Sequence, residues 1–180
     1  DLDHPLPKSD PHNPGELGFD YWLSHTTGFD RSFDLSRNGV LEKFEGDGSE
    51  IIVEEAVRFI TDELERGKPF FIVIWYSAPH GPWDASEEDI KPFLGKVDRT
   101  SAHAHGEIVA IDRSIGNLRT SLRELGIADN TLVWFTSDNG GSPNLDVRVW
   151  PSKDSFGGAG GQGMEMDCLL YTSPSPRDSR

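Results

Sequence analysis

Two short apolar runs and two amphipathic stretches organise the chain. Pro69–Ser77 and Thr131–Thr136 are compact, apolar and rich in β-branched and aromatic residues, the composition of buried strands. Between them, Ile108, Ile111, Ile115, Leu118, Leu122 and Leu125 recur at alternating intervals of three and four. That spacing predicts a helix over Ser101–Gly126 with one apolar face, stopped by Gly126. A first helix is expected from about Ser49 to Arg66. Asp47 or Ser49 would cap it, Ile52, Ala56, Phe59 and Leu64 would form its stripe, and Gly67 would end it before Pro69. Ser86-Glu87-Glu88-Asp89 opens a short helix with acids at its positive end. Residues 1–48 read as loop: Pro5, Pro7, Pro11 and Pro14 keep the start extended, and Gly39, Gly46 and Gly48 punctuate the rest.

Strand, helix and strand from Pro69 to Thr136 make a βαβ unit. Its strands are expected to be parallel, with a right-handed crossover. The residues that follow each strand, His80 and Asp138, would then share one edge of the sheet. Ligands of open α/β sheets bind at that edge. Asp138 and Asn139 offer adjacent hard oxygen donors of the kind Ca²⁺ or Mg²⁺ takes. A tight turn explains Asn139-Gly140 equally well, because Asn-Gly is also a hairpin signal.

Composition narrows the classes. A chain of 180 residues can bury about 70% of its extended surface. Ten Phe and five Trp within a 35% hydrophobic content favour a real core over disorder. The formal net charge of −14 argues against nucleic acid and anionic membranes as partners, so any positive field at a site must be local. One cysteine rules out an internal disulfide. No run approaches the roughly 20 apolar residues of a membrane span.

The two runs with their flanks resemble the sulfatase family of the alkaline-phosphatase superfamily. Pro69-Phe70-Phe71 leads into Ala78-Pro79-His80-Gly81-Pro82, and Asp129-Asn130-Thr131-Leu132-Val133 leads into Thr136-Ser137-Asp138-Asn139-Gly140-Gly141. Gly18-Phe19-Asp20-Tyr21-Trp22 and Glu54–Ile60 fit the same pattern, in the same order. The resemblance implies a three-layer α/β/α sandwich, here incomplete, and a sulfuric ester hydrolase acting on a sulfated small molecule or glycan. It implies His80 as a sulfate-contacting catalytic residue and Asp138 and Asn139 as ligands of Ca²⁺, with Mg²⁺ the other candidate. It implies a formylglycine nucleophile and an extracytoplasmic location: periplasmic, secreted or lysosomal. A phosphonate or phosphodiester hydrolase of the same superfamily, or a non-catalytic anion- or glycan-binding relative, are the alternatives.

Parts of the family pattern are not in these 180 residues. The C/S-x-P-x-R motif that yields formylglycine is missing: Cys168 lies in another context, and Ser173-Pro174-Ser175-Pro176-Arg177 has its first proline one place early. The acidic ligands and K-x-H segment of the family's first half are not found, nor is a Lys in the G-x-K context, since Lys153 lacks it. Residues 1–162 are therefore expected to be a fragment of a catalytic domain, inactive alone, and 163–180 an unstructured, non-native tail. His103 and His105, at i and i+2, do not share a helix face and read as solvated residues at a helix start. Ser24, His25 and Asp30 follow the Gly18–Trp22 segment, and the resemblance implies a place for them near the substrate pocket, though no motif fixes them. Gly158–Gly163 satisfies G-x-G-x-x-G without the strand, helix and acidic residue a dinucleotide site needs.

Overall fold

The computed structural model describes residues 7–25 and 31–137. Within them the chain runs β1 (Leu23–Ser24), β2 (Arg31–Arg37), β3 (Val40–Asp47), α1 (Gly48–Glu65), α2 (Glu87–Ile90), α3 (Arg99–Glu124) and a 3₁₀ turn at Ala128–Asn130. The stretch expected to be loop is in fact an antiparallel sheet in the order β1-β2-β3. Its turn is Asn38-Gly39, with φ of 49° and 89°. A two-residue hairpin turn with both central residues at positive φ matches the strand twist, and Asn-Gly tolerates it best. Gly39 is thus the turn that makes the sheet, where it had read as a breaker. Phe33 sits across from Phe44 in the ladder, with ring centroids 6.2 Å apart. Leu35 and Ser36 are buried.

α1 forms where its periodicity places it. The Asp47 carboxylate accepts from the Ser49 N–H at 2.9 Å and caps the first turn, and Gly67, at φ 65°, ends the helix. Its buried face carries Ile51, Val53, Ala56 and Ile60. Of the expected stripe only Ala56 belongs to that face; Ile52, Phe59 and Leu64 are half-buried. Ser86 caps α2 by accepting from the Asp89 N–H at 3.1 Å. Asp98 caps α3, and Gly126, at φ 71°, closes it.

α3 packs against α1 and α2. From the Ile/Leu stripe, Ile111 and Leu122 are buried, while Ile108, Ile115, Leu118 and Leu125 are half-buried. The deepest part of the helix is its first half, lined by Ser101, Ala102, Ala104, His105, Gly106 and Glu107. Here Ala85, Ile90 and Ala102 form a core cluster, flanked by Phe93 and Val97. Small side chains let a neighbouring segment come close, which an aliphatic stripe does not.

The two apolar runs are where the βαβ expectation changes. Accessibility alternates with period two along both: Phe71, Val73 and Trp75 are exposed and Phe70, Ile72, Ile74 and Tyr76 half-buried, while Leu132 and Trp134 are exposed and Thr131, Val133 and Phe135 half-buried. The Tyr76 hydroxyl and the Ser114 hydroxyl lie 3.0 Å apart, so the covered side of the first run faces α3. No backbone hydrogen bond joins the two runs, and neither is a ladder strand among the described residues. The expected parallel pairing is therefore not observed. The crossover rule governs direction and handedness but not adjacency, and an extended segment becomes a strand only when a neighbour supplies its hydrogen bonds. No helix among the described residues is long and apolar enough to cross a membrane.

Arg113 ties the helical layer together. Its guanidinium donates to both carboxylate oxygens of Asp89, at 2.7 and 3.0 Å, and pairs with Glu50 of α1. This holds the Asp89 carboxyl below the usual carboxylate range, through the Arg113 hydrogen bonds first, against the opposing effect of burial.

Two outcomes follow from this packing. Ile111→Ala or Leu122→Ala is expected to cost about 2–5 kcal/mol in urea unfolding, and Leu118→Ala clearly less, because only the first two are buried. A carboxyl with a depressed folded pKa contributes stability above its unfolded value of about 4 and loses it as pH falls through the folded value. Asp89→Asn is therefore expected to lower stability at neutral pH and to flatten its fall below about pH 4, as read by denaturation at several acid pH values.

Candidate functional site

His80 stands at the end of the first apolar run, in the segment Ala78-Pro79-His80-Gly81-Pro82. The turn closes with the His80 N–H donating to the Ser77 carbonyl at 3.1 Å. The imidazole Nδ1 lies 2.7 Å from the Gly81 carbonyl oxygen. A carbonyl only accepts, so Nδ1 carries the proton and Nε2 is the ring atom left for other chemistry. The neutral ring accepts at Nε2, and the imidazolium donates there. His80 is exposed, and the Trp83 indole N–H donates to the Pro79 carbonyl at 2.8 Å, folding the indole back along the same segment. The segment continues onto α3, where the Asp84 N–H donates to Glu107 Oε1 at 2.8 Å.

A second concentration of polar groups lies between the β2–β3 hairpin and α1. Arg37 donates from Nε to both oxygens of Glu42 at 2.9 Å, and from Nη1 to Glu55 and the Tyr21 hydroxyl. Arg58 also pairs with Glu55, and the Tyr21 ring stacks on Phe59 with centroids 5.3 Å apart. Burial pushes the Glu55 carboxyl up, but the hydrogen bond and charge of Arg37 outweigh it, and the carboxyl titrates below its ordinary value. Asn38 joins this group to the segment before β1: its carboxamide oxygen accepts from the Trp22 N–H at 2.9 Å, and its own N–H donates to the Trp22 carbonyl. A cleft of about 420 Å³ opens beside these residues, lined by Tyr21, Arg37, Arg58 and Arg66 together with Asp20 and Asp62. His80 is not part of it. The arginines there are already matched by carboxylates, so the motif Gly18–Trp22 reads structurally as the piece that locks the hairpin onto α1.

Of the residues the sequence singled out, His80 is placed. Asp138 and Asn139 lie outside the described residues, as do Asp30, Lys153, Gly158–Gly163 and the tail 163–180. Ser24 lies in β1 and His25 follows it, both half-buried. The histidine pair needs correction. His105 is 3% exposed, with its ring 5.1 Å from that of Phe93, and His103 is half-buried. The i and i+2 spacing does separate their faces, but α3's inner face is broad enough at its start to take both. Glu107, Ser114 and Arg113 were not anticipated. A glutamate among Ile and Ala residues does interrupt the apolar pattern, and that interruption was the available signal.

The family model described as Sulfatase matches residues 5–178. The chain is 42% identical over 101 residues to the human N-acetylgalactosamine-6-sulfatase, a match covering 56% of this chain and 18% of that protein. It is 26% identical to the endo-4-O-sulfatase of Bacteroides thetaiotaomicron, covering 77% of this chain and 35% of that protein. Among solved structures, the crystal structure of Ps i-CgsB in complex with k-i-k-neocarrahexaose superposes with a TM-score of 0.71 at 27% identity, over 81% of this chain and 38% of that one. The chain thus spans well under half the length of these relatives. Those neighbours carry the alkaline-phosphatase-like α/β fold, of which the helices and small antiparallel sheet described above are an incomplete part. With a family match across nearly its whole length, the chain belongs to the sulfatase family.

Proposed function

We propose that this chain is part of an enzyme that hydrolyses a sulfate ester of a glycan, with His80 in contact with the sulfate group. The observation that carries the reading is the family match over residues 5–178, joined to the His80 tautomer. With Nδ1 committed to the Gly81 carbonyl, Nε2 is the atom that meets substrate. An imidazolium N–H there stabilises charge developing on an ester or sulfate oxygen as the S–O bond breaks. Glycan chemistry is favoured by relatives whose names specify a sulfated amino sugar or an endo-acting sulfatase.

Asp138 and Asn139, which follow the extended run Thr131–Ser137, are the proposed ligands of the family's metal, and Ca²⁺ is the proposed ion. Their donor chemistry fits: a carboxylate and a carboxamide oxygen suit a hard cation. Among the described residues no group of three or more His, Cys, Asp or Glu converges as a cation site. Calcium takes about 6–8 oxygens, so these two would supply only part of its shell. A bound divalent ion supplies Lewis-acid neutralisation of sulfate oxygens. The formylglycine nucleophile is proposed to come from polypeptide outside these 180 residues, and an extracytoplasmic location is proposed with it.

The test uses the longer polypeptide that carries this sequence. His80→Ala is expected to lower kcat on an activated aryl sulfate by about 10²–10⁴-fold with the fold retained by circular dichroism. Asp138→Ala is expected to abolish chelator-sensitive sulfate release. Turnover indifferent to both changes would overturn the reading. The 180 residues alone, given Ca²⁺ and the same substrate, are expected to release no phenol above the buffer rate, because without a nucleophile the remaining groups accelerate nothing.

A further inference from the structure

Three ties run from α3 to the segment that bears His80. The Tyr76 hydroxyl meets the Ser114 hydroxyl at 3.0 Å, four residues before His80. The Asp84 N–H meets Glu107 Oε1 at 2.8 Å, four residues after it. Asp89 receives two hydrogen bonds from Arg113 five residues further on. Four residues reach at most about 14 Å, so fixing both ends confines the histidine between them. Glu107 is 2% exposed, although a long acidic side chain is almost never fully buried without a specific partner. Next to it, a Cβ on Gly106 would lie 2.7 Å from the Ala85 Cβ and 3.0 Å from Ile90 Cγ2, so the segment after His80 is pressed onto α3 at this turn.

We infer that Glu107 is a positioning residue for His80: its buried Oε1 holds the Asp84 N–H and thereby sets where the Pro79–Pro82 turn presents the imidazole. The inference rests on the reading of His80 as the sulfate-contacting residue. Glu107 itself touches no substrate. Its part is to remove the slack that a turn of Gly and Pro, tied to α3 only at Tyr76 before it and from Ala85 to Asp89 after it, would leave at the ring. A displacement of about 1 Å at a reacting group can cost on the order of 10²-fold in rate. That is the order of effect a lost tether has here.

The experiment compares Glu107→Met and Glu107→Gln in the longer polypeptide, each with His80 and with His80→Ala. Methionine fills the volume without an acceptor, whereas glutamine keeps an oxygen for the Asp84 N–H. With His80 present, Glu107→Met is expected to lower kcat by roughly 10–100-fold with little change in KM. Glu107→Gln is expected to restore most of it. In the His80→Ala background, Glu107→Met is expected to add no further loss, since coupled residues are non-additive. Equal losses in both backgrounds would mark Glu107 as structural only and overturn the inference. So would a wild-type kcat in Glu107→Met, or a Glu107→Gln variant as poor as Glu107→Met. If His80→Ala alone left kcat unchanged, the reading of His80 would fall and the inference with it. If His80→Ala were severe and Glu107→Met harmless, only the positioning role would fall.

Discussion

The close approach of the segment Asp84–Ile90 to α3 at Gly106 is the constraint on which the helical layer depends. A helix normally keeps its neighbours some 8–10 Å from its axis. Here Ala102 and Gly106 give the segment room to come closer, and Ala85 and Ile90 fill the space. That contact sets where α2 lies, brings Asp89 under Arg113 and delivers the Asp84 N–H to Glu107. His80 stands upstream of the same contact, so the placement of the candidate site follows from small residues that carry no chemistry of their own.

Electrostatics work locally within a strongly acidic chain. With a net charge of −14, long-range repulsion favours loosening. Two arginines answer it at the points where elements meet. Arg37 joins Glu42, Glu55 and the Tyr21 hydroxyl, and Arg113 joins Glu50 and Asp89. Each guanidinium, held well above its ordinary range by those hydrogen bonds, stays charged at any pH a protein meets. A planar fork of donors can satisfy several carboxylates at once, which an ammonium cannot do with the same geometry. The acidic surplus is thus tolerated where it is paired. The cleft beside Tyr21 is part of this pairing more than a field for anions.

The exposed row Phe71, Val73 and Trp75, with Leu132 and Trp134 on the second run, is the plainest mark of what the 180 residues do not cover. Trp75 is 84% exposed, and contiguous large apolar side chains at that exposure are rare on a finished surface. Both faces of these runs are apolar, as in strands of a sheet buried on two sides. α3 covers one face. The chain matches 38% of the length of its structural neighbour, which accords with a sheet only partly present.

Taken alone, the sequence determined those features that short-range physics sets. Helical periodicity located α1 and α3, side-chain oxygens at Asp47 and Ser86 set the starts of α1 and α2, and Gly67 and Gly126 the ends of α1 and α3, because each depends on residues within a few positions of one another. The His80 segment was legible as a motif for the same reason. The Asn38-Gly39 turn was present in the sequence too, but the prolines and glycines around it masked strands whose partners lie only just across the turn. What the tertiary structure alone decided is long-range. Which face of α3 is deepest, why His105 and Glu107 are buried, and which carboxylates Arg113 gathers all depend on segments 12 to 63 residues away meeting the helix. Whether an apolar run becomes a paired strand depends on a neighbour that periodicity along one segment does not encode. Pairing energy is a property of two segments, while alternation is a property of one.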